Sequence, residues 1–345
     1  MGLNIYPLFR NILFKLDAEK AHYLGMKGLK LADDLKLSSI LFGNNESLPT
    51  KVMGIDFPNP VGLAAGLDKN GDYFAALSHC GFGFVEIGTV TPRSQPGNPR
   101  PRIFRLPEAQ AIINRMGFNN EGVDYLLERV KASSYNGVLG INIGKNFATP
   151  VDSALDDYLI ALAKVYPYAD YVTVNISSPN TPGLRELQFG EALDQLLSGL
   201  KKTQQKLSDQ YARYVPLAVK IAPDMDDSAV QKLADTFVQH KIDAVIATNT
   251  TSSRQGVENL PYGNEQGGLS GKPVLDKADH VLQVLAAHLQ NALPIIAVGG
   301  ISSGQDALNK IRLGASLVQI YTGFIYQGPA LVHECVRVLK ESRKS

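Results

Sequence analysis

From residue 60 onward the chain repeats one pattern eight times: a short apolar run ending in small or polar residues, then an amphipathic stretch of helical length. The runs cover residues 60–63, 84–88, 137–143, 171–176, 217–221, 244–247, 295–298 and 317–320. Strands that are apolar almost throughout must be covered on both faces, as in a parallel sheet flanked by crossover helices. Eight such units without a break in composition predict an α/β protein built as a (β/α)8 TIM barrel, which needs roughly 250 residues. An open doubly wound sheet is the alternative. Its dinucleotide fingerprint is missing, because the nearest string, residues 81–86, carries Glu86 where the third glycine belongs and precedes a strand.

The chain therefore divides into an N-terminal segment, residues 1–48, and a barrel domain, residues 49–345. Residues 51–58 read as a hairpin that closes the barrel floor, with Gly54 at its turn. In the N-terminal segment, residues 6–16 carry a dense apolar face, and Asp17 is placed to cap a second helix reaching about Leu31. Arg10, Lys15, Lys20, Lys27 and Lys30 outnumber the acids Asp17 and Glu19 over this stretch. A basic amphipathic helix pair either lies in a membrane interface beside anionic headgroups or packs as a lid on the barrel. The residues alone leave both open.

Composition excludes several other classes. Apolar residues at 44% and charged ones at 19% suit a chain that buries a core. A formal net charge of +1, with no basic run, argues against nucleic acid as a partner. Cys80 and Cys335 stand far apart without metal-ligand spacing, so neither a disulfide scaffold nor a metal site is expected. No apolar run nears the roughly 18 residues that span a bilayer, and the start lacks the marks of a secretory signal. Tyr6 occupies the place where a myristoylation signal beginning at Gly2 needs Ser or Thr, which speaks against a lipid anchor.

The chemistry is expected at the C-terminal ends of the strands, the rim where barrel enzymes carry their active sites. That rim holds Ala65-Gly66-Leu67-Asp68-Lys69, Thr89, Asn142, Asn175, residues 177–180, Lys220, Thr248-Asn249-Thr250, Gly299-Gly300 and Tyr321-Thr322-Gly323. One Asn or Thr at a strand end is more often a cap, but eight polar strand ends in succession point to a site. The glycines after the last two strands suit a phosphate, since backbone N–H groups can approach the anion there. Lys220 would be costly to bury without an anionic partner, and it suits either a Schiff base or charge stabilisation on a bound cofactor. Asn114, Asn175, Asn180 and Asn249 pair donors with acceptors, as a pyrimidine ring requires. Ser178 lacks both a GxSxG elbow and a nearby His, which disfavours a hydrolase nucleophile. A serine in a closed, dry site can still take a proton from carbon.

The strings AGLDK, NRMGF, NISSPNTPG, KIAPD, TNTT, GGLSGKP and VGGI, in this order, resemble class 2 dihydroorotate dehydrogenase from about residue 5 to 335. The resemblance implies FMN as cofactor, held by Ala65, Gly66, Leu67, Asp68, Lys69, Thr89, Asn142, Asn175, Lys220, Thr248, Gly271, Gly300, Tyr321 and Thr322. It implies dihydroorotate, the precursor of orotate, bound by Lys69, Asn114, Arg115, Met116, Gly117, Phe118, Asn175, Asn180, Asn249 and Thr250. Ser178 would be the catalytic base, where the soluble class of the family has Cys, and Thr181 with Phe118 would order a water path for the proton. His22, Arg105 and Tyr321 match the positions beside a membrane quinone that reoxidises the flavin. The resemblance implies a peripheral place on the cytoplasmic face of the cell membrane and a part in pyrimidine biosynthesis, and a monomer is expected. Competing readings are a Schiff-base lyase working through Lys220 and a silent membrane-binding barrel. Other FMN barrels share the phosphate site but not the whole set of strings.

Overall fold

The computed structural model describes residues 6–43 and 47–344; Gly2, on which the lipid-anchor question turned, lies outside them. Eight parallel strands close into a barrel: β1 Val61–Leu63, β2 Phe84–Val90, β3 Val138–Ile143, β4 Tyr171–Asn175, β5 Leu217–Ile221, β6 Ala244–Ala247, β7 Ile295–Val298 and β8 Leu317–Ile320. Each lies on the run expected of it. Because side chains alternate along a strand, one set packs outward against the helices and the other fills the barrel. Phe84, Tyr171, Ala218, Ile296 and Leu317 form the inner apolar layer, closed from below by Val52 and Phe57. These two residues belong to the floor hairpin, Thr50–Val52 paired with Ile55–Phe57. Met53 and Gly54, both at positive φ, make its two-residue turn. Further up the barrel the buried inward positions turn polar, with Glu86, Asn142, Lys220 and Gln319.

Two features were not expected. The N-terminal extension has three helices rather than two: α1 Tyr6–Leu13, α2 Ala18–Asp34 and α3 Ser38–Phe42. The third, at five residues, is too short to carry a periodic signal. The second feature is an antiparallel sheet at the rim, in which Ala111–Asn114 pairs with both Ile103–Leu106 and Gly268–Gly271. One face buries Phe104, Leu106, Ile113 and Leu269 in a core of its own. The register sets Ile103 opposite Asn114 and Arg105 opposite Ile112, so these four share the other face.

The N-terminal helices are fastened to this sheet and to the barrel flank by polar contacts. Asp17 caps α2 by accepting from the Glu19 and Lys20 amides. The buried Glu19 carboxylate receives the Arg102 guanidinium at 2.7 and 3.2 Å and Arg100 at 3.0 Å. Arg105 donates to the Leu13 and Leu16 carbonyls just beyond the end of α1, the first of which also accepts from the Leu16 amide, and lies 4.7 Å from the centre of the Phe14 ring. Tyr6 Oη donates to the Ile325 carbonyl at 2.6 Å.

Candidate active site

Two cavities meet at the rim. The first, the more polar of the two, lies over the strand ends; the second is mostly apolar, about 1200 Å³, and runs between the N-terminal helices and the barrel flank. Lys69, Asn114, Met116 and Tyr321 line both. A ligand in one therefore has a neighbour in the other.

The polar cavity gathers most of the residues marked in the sequence. Ala65, Gly66, Lys69, Thr89, Asn175, Lys220, Thr248, Gly271, Gly300, Tyr321 and Thr322 line it, as do Asn114, Met116, Gly117, Phe118, Ser178, Asn180, Asn249 and Thr250. Four others are placed elsewhere. Leu67 faces the apolar cavity. Asp68 turns into its own loop, where its carboxylate accepts from the Gly71, Asp72 and Tyr73 amides at 2.9, 3.0 and 2.7 Å and thereby shapes the segment that carries Lys69. Arg115 turns away to pair with Glu265 at 2.7 Å. Asn142 is wholly buried beneath the cavity and donates to Glu86 at 2.8 Å. Neighbouring residues on a loop point in different directions, and the strings do not say which points inward.

Sequence reasoning missed Ser270, which lines the polar cavity from the rim sheet, and Gln319, which lies on its floor. Ser270 stands inside the string GGLSGKP, from which only Gly271 was taken, whereas Gln319 sits within an apolar strand without a local signal. Arg185 was missed as well: its guanidinium donates to the Ser177 carbonyl at 3.2 Å, the Thr250 carbonyl at 3.0 Å and Asp224 at 3.0 Å. It thus joins the loop bearing Ser178 to the segment bearing Asn249. The Ser178 hydroxyl, itself buried, accepts from the Asn180 amide at 3.2 Å, while Asn180 Nδ2 donates to the Asn114 carbonyl at 3.1 Å.

Burial sets the charge states. It pulls Lys69 down to about 8, helped by Arg102 and opposed by Glu19 and Asp68; its ammonium donates to the Gly66 carbonyl at 2.6 Å. Burial also lowers Lys220, against the pull of Glu86, and raises Tyr321 to about 12. It pushes Asp68 up to about 6 in spite of its three amide donors. In the apolar cavity His22 is brought down to about 4, by burial first and then by Lys69, so its imidazole is neutral at pH 7 with one donor and one acceptor nitrogen. Arg105 lines the same cavity. Among the described residues no cluster of His, Cys, Asp and Glu could hold a metal ion.

Fold and site together define a class: a β/α-barrel enzyme whose polar rim pocket is flanked by an apolar entrance under added helices. A family model described as dihydroorotate dehydrogenase matches residues 47–342. A protein of Azotobacter vinelandii named dihydroorotate dehydrogenase (quinone) is 61% identical over 339 residues, 98% of each chain. One of the same name from Pseudomonas putida is 61% identical over 332 residues, 96% of this chain and 97% of that one. A crystal structure of DHODH from Eimeria tenella in complex with ferulenol superposes with a TM-score of 0.87 at 37% identity, covering 94% of this chain and 91% of that one. The chain belongs to the dihydroorotate dehydrogenase family.

Proposed function

We propose that this protein oxidises dihydroorotate to orotate in pyrimidine biosynthesis, with FMN as its cofactor and a membrane quinone as electron acceptor. The observation that carries the reading is the meeting of a polar and an apolar cavity at Lys69, Asn114, Met116 and Tyr321. A water-soluble acid and a lipophilic quinone need two such entrances to one redox centre.

The pocket fits FMN on several counts. Lys220 is buried and lines the floor, and no hydrogen bond or ion pair to its ammonium is found among the described residues. The Gln319 Oε1 atom is buried without a partner. At Gly300 an added Cβ would lie 2.4 Å from Leu275, and at Gly271 2.3 Å from the Gln110 carbonyl, so only glycine permits the close backbone packing there. Lys220 would balance negative charge on the isoalloxazine, and Gly300 and Thr322 would hold the phosphate. When bound, FMN supplies the reversible two-electron chemistry that no side chain of the pocket possesses.

The remaining steps belong to the chain. Lys69 and the asparagines 114, 175, 180 and 249 bind the carboxylate and ring amides of dihydroorotate. Ser178 Oγ would take a proton from one ring carbon while the neighbouring carbon gives up a hydride, for which bound FMN would be the acceptor, and the double bond of orotate is left between them. The Thr181 hydroxyl, which is buried without a partner, would pass that proton on through water. Neutral His22 and the Arg105 guanidinium would receive the quinone head. One chain supplies every one of these residues, as a monomeric enzyme requires. The exposed apolar residues of the N-terminal helices suit peripheral attachment to the cytoplasmic face of the membrane.

An anaerobic titration tests the reading. The purified protein should show a flavin spectrum that dihydroorotate bleaches and a soluble quinone restores. A protein that takes up no FMN, or a flavin that dihydroorotate never bleaches, would overturn it.

A further inference from the structure

Glu86, on the second barrel strand, is wholly buried and lines neither cavity. Three strands supply its donors: Asn142 Nδ2 reaches Oε1 at 2.8 Å, while Tyr171 Oη and Gln319 Nε2 reach Oε2 at 2.9 and 2.7 Å. Burial keeps the Tyr171 phenol protonated, as a donor to a carboxylate must be. An enclosed acid is costly to bury, and apolar packing would fill the same space at lower cost. Its position nevertheless has a consequence at the pocket.

From Glu86 a chain of hydrogen bonds climbs to the polar cavity. Asn249 Nδ2 donates to Asn175 Oδ1 at 3.3 Å, Asn175 Nδ2 to Thr89 Oγ1 at 3.0 Å, Thr89 Oγ1 to Asn142 Oδ1 at 2.6 Å, and Asn142 Nδ2 to Glu86. Every link donates toward the acid. An amide can be turned over and a hydroxyl rotated, so such a chain could run either way, but a carboxylate only accepts. The anion at the base therefore holds the Asn142 amide with its NH2 inward. That leaves Asn142 Oδ1 to accept from Thr89, whose oxygen then accepts from Asn175, and each bond polarises the next.

We propose that Glu86 is a positioning residue, which through Asn142, Thr89, Asn175 and Asn249 fixes the donor and acceptor pattern that the pocket floor presents to the pyrimidine ring. The inference rests on the reading that this pocket binds dihydroorotate and orotate. It adds a residue that touches no ligand and gives the asparagines their orientation.

The test uses the FMN-loaded protein and Glu86→Gln, which keeps the size of the side chain but can donate as well as accept, so the direction is no longer enforced. Because Thr89 and Asn175 also belong to the residues assigned to FMN, the two proteins are compared at full FMN occupancy, where the variant should keep its rate of reoxidation by a soluble quinone. Its calorimetric affinity for orotate and its rate of reduction by dihydroorotate should each fall about tenfold. Thr173→Val is the control, since the Thr173 hydroxyl is buried without a partner. That change should move none of these quantities by more than about twofold. Orotate affinity and reduction rate in Glu86→Gln that stay within the range of the control overturn the proposal. Should Glu86→Gln fail to fold, Thr89→Val severs the same chain with the carboxylate in place; an equal loss of orotate affinity supports the proposal, and unchanged binding overturns it. Wild-type protein that holds FMN but binds no orotate would count against the functional reading instead.

Discussion

His22 releases its proton near pH 4 in the folded chain and near 6.5 when unperturbed, because burial and Lys69 both oppose the charged form. Between these values the unfolded chain binds more protons than the folded one. Stability therefore rises with pH through that window and is fully present above 6.5. Thermal unfolding between pH 7 and 4 should show a fall in midpoint that is smaller in His22→Asn, which has nothing to protonate; equal slopes would remove His22 as the cause. Ser178 carries a different expectation. Ser178→Ala should slow anaerobic bleaching by dihydroorotate by about 10² to 10⁴, the range that a positioned base contributes, without altering flavin content or reoxidation by quinone. Residues of this kind were legible because they stand at strand ends, where a barrel places its chemistry. Asp68 and Arg115 occupy the quoted strings and Asn142 a strand end, yet none of the three lines the polar cavity, and only the backbone path decides that. Glu86 is visible in the sequence as a lone acid in an apolar strand. Its use depends on donors from three other strands, which no local pattern contains.

At the scale of elements, the eight strands were readable because each is a continuous apolar run with turn residues behind it. The rim sheet was not: two of its three four-residue strands form a hairpin joined through residues 107–110, too short for a periodic signal, and the third, Gly268–Gly271, comes from a distant loop and pairs with Ala111–Asn114 only across the folded molecule. That sheet supplies Arg105, Asn114 and Gly271, so part of the site was named before the element carrying it could be seen. The clasp between the Ser178 loop and the Asn249 segment belongs to the same scale. Asp224 holds it from the far side: besides Arg185 it receives the Thr251 hydroxyl, the Ser252 amide at 2.8 Å and Lys277 at 2.9 Å, and against the opposing effect of burial these last three keep its carboxyl well below the usual range. Arg185→Gln removes the charge and at least one of three bonds at a partly buried site. We expect a loss of about 2 kcal/mol in loop stability, read as faster proteolysis between residues 177 and 189. Reduction by dihydroorotate should slow while reoxidation by quinone does not. Equal slowing of both half-reactions would show that the clasp serves the whole barrel rather than the serine loop.

For the whole molecule the open question is where the apolar cavity leads. No helix among the described residues is long and apolar enough to cross a membrane. Leu8, Phe9, Ile12, Leu24, Leu31, Leu35 and Ile40 are nevertheless each more than half exposed, all within the three N-terminal helices and the turn between the last two. Lys15, Lys20 and Lys27 are exposed in the same region. Phe9, Ile12 and Leu24 also line the cavity, so its wall and the exposed apolar surface are made by the same residues. A bilayer covering that surface would open directly onto the path to His22 and Tyr321, and a quinone would pass from lipid to flavin without crossing water. The apolar and electrostatic parts of such attachment can be separated. Replacing Lys15, Lys20 and Lys27 by Glu should weaken binding to anionic vesicles at low salt, with little effect at high salt, where surface charges are screened over roughly 3 Å at 1 M. Replacing Leu8, Leu31 and Ile40, which do not line the cavity, by Ser should weaken binding at both. The second variant should still reduce a soluble short-chain quinone at the wild-type rate and lose activity toward a long-chain quinone held in vesicles. Equal loss with both quinones would mean that the helices act only as a lid, and that the exposed apolar face has no part in delivering the acceptor.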